Sequence, residues 1–162
     1  MNEPRTEENR PKSNVNTIMS FGTLIYLAAI FFGGLFHFFY PTEVTSDPSV
    51  VNVGLALILL ATGIIFWAAA SARKLVRDMA LSASVEVFKT GAYGYTRNPT
   101  YLGLFLLIIG FGFLANSLPI IIAAIIAFIF IRFTTLKKEE EVLEDKFGEV
   151  YRQYKSEVRR WL

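Results

Sequence analysis

Three stretches of this chain, Ile18 to Phe39, Val50 to Ala72 and Tyr101 to Ile131, contain no Asp, Glu, Lys or Arg. About 20 apolar residues in a helix cross the ~30 Å hydrocarbon core of a bilayer. Inside lipid every backbone N–H and C=O must find a partner within the protein, which leaves helices or a closed barrel. These runs are continuously apolar rather than alternating, so they predict membrane-spanning helices. The third run is broken in its middle by "ANSLP" (115–119), a turn signal. It therefore divides into a hairpin of two short helices, each of about 15 residues or ~22 Å. The chain is expected to be an all-α, polytopic membrane bundle of four spans: Ile18–Phe39, Val50–Ala72 and the two arms of the hairpin.

Charge orients the bundle. The segment 41–49 carries Glu43 and Asp47 and no basic residue, and Pro41 and Pro48 bracket it. The segment 73–99 reads as a polar loop with Arg73, Lys74, Arg77, Lys89 and Arg97, and basic residues are again dense after Ile131. Basic loops stay in the cytoplasm. The expected protein is multi-pass, with both termini and the 73–99 segment cytoplasmic. Residues 1–16 are polar with no apolar period and read as a disordered tail, which leaves 17–162 as a single domain. A transporter is disfavoured, because ion and proton pathways need ionisable groups within the spans.

The rest of the composition excludes more than it assigns. The chain is 53% hydrophobic with a net charge of +2, which does not suit nucleic acid. With no cysteine and one histidine, His37, it offers neither a thiolate nor a multi-histidine metal site. Partners are expected to be membrane lipids and a lipophilic substrate entering from the bilayer. The C-terminal "KKEEEVLEDKFGEVYRQYKSEVRRWL" is helical in pattern. Val142, Leu143, Phe147, Val150, Tyr151, Tyr154 and Val158 form its apolar face, so it should lie on the membrane surface or cap the bundle.

Chemistry concentrates in "GAYGYTRNPTYLG", residues 91–103. Asn98 fits a helix N-cap and Pro99 the first helical position. Tyr93, Tyr95 and Tyr101 suit an interface, and Gly103 with Gly110 suits close helix packing. The hairpin would return the chain beside Lys137-Lys138-Glu139-Glu140. A helix N-terminus favours a carboxylate, tyrosine faces hold a cation, and a glutamate pairs with an ammonium. S-adenosylmethionine carries all three complements.

Two linked motifs carry a resemblance. The first runs Gly91, Tyr93, Arg97, Asn98, Pro99, Tyr101, Gly103, and the second Glu139, Glu140, Leu143, Phe147, Gly148, Tyr151, Tyr154. With a helical hairpin between them, they resemble the isoprenylcysteine carboxyl methyltransferase and phospholipid methyltransferase group of membrane enzymes. The resemblance covers roughly the C-terminal half. It implies a methyltransferase whose S-adenosylmethionine is cradled by 85–103 and 132–162. Tyr93, Asn98, Pro99, Thr100 and Tyr101 would line the cofactor and Glu139 would meet its polar end. The segment Val85, Glu86, Val87, Phe88 would add contacts. Arg97 would pair with the cofactor carboxylate or with Glu140, or anchor the interface.

The sequence departs from the family pattern in two places. Asn98 stands where the family has histidine, and Asn does not titrate near neutral pH. Thr135 stands where the prenylcysteine enzymes place a substrate-binding arginine. Arg132, one turn earlier, either takes that role or ends the fourth span at the interface. No catalytic base is identified. Other readings are a nicotinamide-dependent membrane reductase of related fold and a noncatalytic membrane adaptor, and cofactor binding separates them.

Overall fold

A computed structural model describes residues 15–161, with the backbone alone for 15–20. The expected tail falls almost wholly outside the described residues. The order is α1 (Val15–Phe39), α2 (Val50–Met79), α3 (Val85–Phe88), a 3₁₀ turn (Gly91–Gly94), α4 (Pro99–Leu114), α5 (Leu118–Phe133), α6 (Thr135–Phe147) and α7 (Glu149–Glu157). Among the described residues there is no strand.

Among the described residues, three helical stretches are long and apolar enough to cross a membrane: Phe21–Phe39 of α1, all of α2, and α5 running on into α6. α4 is also apolar but has only 16 residues, or ~24 Å. Leu24, Phe31 and Phe32 of α1, Leu59 and Phe66 of α2, and Ile126 and Phe130 of α5 are all exposed. In water this would be a liability. As a belt around a helical bundle it is the surface that lipid requires.

The most extensive helix contact is between α2 and α4, followed by α1 against α5. Small residues permit the first. A Cβ at Gly110 would lie 2.9 Å from Ile58 Cγ1, 3.0 Å from Ile58 N and 3.1 Å from the Gly54 carbonyl oxygen. Tyr26, Tyr101, Ile108, Ile120, Ala124, Ala127, Ile131 and Leu136 form the core where α1, α4, α5 and α6 meet. A second cluster, Phe88, Tyr151, Tyr154 and Val158, joins α3 to α7 and the segment after it.

The hairpin turn is where the sequence places it. Asn116 takes a positive φ of 47°, and the Ser117 hydroxyl accepts from Ile120 N to cap α5. Asn116 Oδ1 also accepts from Val44 N and Thr45 N at 3.0 and 3.2 Å, and its Nδ2 donates to the Thr45 carbonyl at 2.8 Å. This ties the acidic loop to the hairpin tip.

Several expectations are corrected. α1 begins at Val15, so it takes in Val15 and Asn16. The segment 73–99 is not loop throughout: α2 continues to Met79, and α3 and the 3₁₀ turn follow. Arg73, Lys74 and Arg77 are good helix formers, and no Gly or Pro intervenes before Ala80. The C-terminal helix is two helices. Gly148 adopts φ 56° and ψ −126°, a conformation that side chains other than glycine resist, and the chain bends there.

Gly110→Ala should lower the unfolding free energy in mixed micelles by roughly 1–3 kcal/mol, the usual cost of overpacking. Gly63→Ala, where a Cβ meets nothing within 4 Å, should be neutral or slightly stabilising. Equal effects would show that α2 and α4 do not need this close approach.

Candidate active site

The site is built where the α4 entrance, the start of α6 and the chain after α7 converge. Ser71 of α2 begins it. Its hydroxyl donates to the Trp67 carbonyl at 2.8 Å and accepts from Ala92 N at 3.0 Å, which fixes the 3₁₀ turn on α2. The Tyr154 hydroxyl donates to the Tyr93 carbonyl at 2.8 Å, so α7 holds the same turn from the other side. Thr96 Oγ1 then donates to the Arg160 carbonyl at 2.7 Å, and Arg97 N to the Arg159 carbonyl at 3.1 Å. The residues after α7 therefore form a strap across 93–98. Trp161 ends it, its ring 4.7 Å from that of Phe128 in α5.

Glu140 is buried beneath this strap, only 5% exposed. Arg160 grips it in a fork, Nε to Oε1 at 3.1 Å and Nη2 to Oε2 at 2.6 Å. Arg97 Nη2 lies 3.4 Å from the same Oε1. Of the roles open to Arg97, pairing with Glu140 is the one present. Both Glu140 oxygens are occupied by guanidinium groups.

Glu139 differs. It lies on the α6 face toward Tyr101, past the apolar run that ends at Ile131. Burial pushes its carboxyl up to about 7; the Tyr101 hydroxyl opposes that rise and the Glu140 charge adds to it. Tyr101 is near enough to favour the carboxylate, yet neither Tyr101 Oη nor Glu139 Oε2 completes a hydrogen bond. Tyr93 is half-buried, and its phenol is pushed up by burial while the Thr100 hydroxyl draws it down.

Five buried polar atoms at this junction lack a partner: Arg97 Nε, Asn98 Nδ2, Trp161 Nε1, Tyr101 Oη and Glu139 Oε2. Buried polar groups are normally satisfied, and several orphans in one place call for an explanation. Three are N–H donors and one is a carboxylate acceptor, a set complementary to a zwitterion. These residues fit the amino-acid end of S-adenosylmethionine.

The other expected residues fall as follows. Asn98 is the N-cap of α4 by position and Pro99 opens the helix, but the Asn98 side chain makes no capping bond. Its amide is turned into the protein instead. Tyr101 is buried rather than interfacial, whereas Tyr95 is exposed and packs on Trp67. In α3, Phe88 is a core residue stacked on Tyr154, and Glu86 is exposed and pairs with Lys89. Val85 packs against the Phe88–Tyr154 cluster, and Val87 is half-buried. Arg132 is exposed, its guanidinium 5.6 Å from the Phe133 ring centroid. It lines a half-open cleft of about 320 Å³ with Phe133, Lys137, Glu140, Glu141, Lys155 and Arg160. Sequence reasoning did not single out Arg160, Trp161 or Ser71. The spacing Tyr154, Val158, Trp161 continues the apolar face by helical steps and was the available signal for the strap.

Residues 50–150 match the family model described as phospholipid methyltransferase. The chain belongs to the phospholipid methyltransferase family. It is thus an integral membrane protein of a methyltransferase family. An uncharacterized protein of Haemophilus influenzae is 43% identical over 63 residues, which is 38% of this chain and 98% of that protein. No solved structure matches the chain.

The perturbed carboxyl has a measurable signature. Its folded pKa of about 7 lies above the unfolded value of 4.5, so between them the folded state holds more protons. Stability contributed by this group is then present below about 4.5 and lost as pH rises through 7. Wild-type protein should lose on the order of a few kcal/mol across that window. Glu139→Gln should lose distinctly less. Identical pH profiles would show that Glu139 is solvated.

Proposed function

We propose that this membrane methyltransferase takes its methyl group from S-adenosylmethionine, bound where α4, α6 and the strap meet. It passes the group to a lipid or small lipophilic acceptor. The set of orphaned buried groups supports this reading most directly. Arg97 and Asn98 meet the cofactor carboxylate, Glu139 and the Tyr101 hydroxyl meet its ammonium, and the Tyr93 and Tyr101 rings lie beside the positive charges. Pro99 and Thr100 form the floor of the pocket, and Glu140 acts through its two arginines.

Bound there, the cofactor supplies a methyl group on a sulfonium, which leaves as a neutral thioether and needs no acid. The residues of the chain would have to align donor and acceptor and exclude water. A carboxylate acceptor reacts as it stands, whereas an amine or thiol first releases a proton. The acceptor enters through the cleft at Arg132 and Phe133. Phe133 is exposed, and Arg132 would meet an anionic group on the acceptor. The basic segments put this end of the bundle in the cytoplasm.

Calorimetry in detergent tests the cofactor site. Truncating one partner of a buried charge pair costs ~2–5 kcal/mol, so Glu139→Gln should weaken S-adenosylmethionine binding by at least about tenfold. Glu141→Gln, on the exposed side of the same helix, should change the affinity little. Equal losses in the two variants would mean diffuse electrostatics and remove Glu139 from the site.

Orientation is tested by labelling. The chain has no cysteine, so Thr45→Cys and Ser82→Cys report without background. Thr45→Cys should react with an impermeant maleimide from outside intact cells, and Ser82→Cys only after lysis. The reverse pattern would invert the topology.

A further inference from the structure

We infer that Arg160 is a positioning residue that keeps the anion-binding end of the site open by holding Glu140 away from Arg97. The inference rests on the reading of this site as a cofactor pocket. Two guanidinium groups share one buried carboxylate, and the sharing is unequal. Arg160 holds Glu140 through both fork nitrogens, the shorter contact at 2.6 Å, while Arg97 reaches it through one nitrogen at 3.4 Å. Two positive charges against one negative leave a surplus of one. The surplus sits on Arg97, whose side chain is only 11% exposed and whose Nε has no partner. A buried cation so poorly paired is unfavourable unless an anion completes it. The unpartnered Asn98 amide follows directly in sequence and adds a donor.

Without Arg160, Glu140 has one guanidinium within reach and takes it as a fork, the preferred geometry for such pairs. Arg97 is then neutralised by the protein itself, and the ligand carboxylate meets a filled site. The strap should keep its place meanwhile, because main-chain carbonyls and Trp161 hold it rather than the Arg160 side chain.

The test uses the full chain in detergent and two titrants, S-adenosylmethionine and its decarboxylated analogue. The analogue keeps the sulfonium and the amine and lacks only the carboxylate. Arg160→Gln should weaken binding of the first by about tenfold or more and of the second by less than about twofold. Arg160→Lys, a point charge without the fork, should fall between. Arg160→Gln combined with Glu140→Gln should recover most of the loss, because no carboxylate remains to fill Arg97. An equal loss for both titrants would make Arg160 a merely structural clamp and overturn the inference, as would no loss or no recovery in the double variant. Wild-type protein that binds neither titrant would refute the cofactor reading and the inference with it. Wild-type binding with unchanged Arg160→Gln affinity would refute the inference alone.

Discussion

One buried carboxylate joins the three parts of the chain that make the site. Glu140 comes from α6, Arg97 from the entrance to α4, and Arg160 from the strap beyond α7. Removing one partner of a buried pair is strongly destabilising, about 3–5 kcal/mol, because the remaining charge stays desolvated. The three segments are thus held to one arrangement, since any other leaves a buried charge without its partner. The junction also stands apart from the apolar runs 18–39, 50–72 and 101–131, which contain no Asp, Glu, Lys or Arg. The bundle supplies a frame through dispersion and close backbone approach, and the clasp at its basic end supplies the chemistry.

The frame was legible in the sequence because the lipid environment admits so few solutions. Uninterrupted apolar runs, the Asn116-Ser117 turn and the Gly110 contact follow from composition and punctuation. The two motifs do come together in the fold, with Tyr101 beside Glu139. Other features were not legible. That α2 runs on to Met79 depends on the modest propensity of Arg73, Lys74 and Arg77, which looked like loop charge. The split at Gly148 hides inside an unbroken amphipathic pattern, since a single positive φ leaves no periodic trace. Asn98 was expected to cap α4, as its residue type and place suggest, but tertiary surroundings turned the side chain inward. Arg160 looked like any terminal arginine, and its partner lies 20 residues away.

The distribution of charge separates two neighbouring surfaces. Around Glu139 and Tyr101 the polar groups are buried and few, and each lacks something to bind. Around Arg132 and Lys137 the groups are more open to water and border the exposed Phe133. Glu140 belongs to both surfaces, with its carboxylate shared by two arginines.

The length of α4 has a consequence for the membrane itself. Its 16 residues span ~24 Å against a hydrocarbon core of ~30 Å. α5 makes up its own shortfall by running through Thr134 into α6, but α4 ends at Asn98 on one side and at the clamped Asn116 turn on the other. Neither end lengthens, so the neighbouring helices or a locally thinner bilayer make up about 6 Å beside α4, at fractions of a kcal/mol for each Å of mismatch. Hydrophobic mismatch thus makes membrane thickness a variable in how deep the α4 entrance sits relative to the bilayer surface.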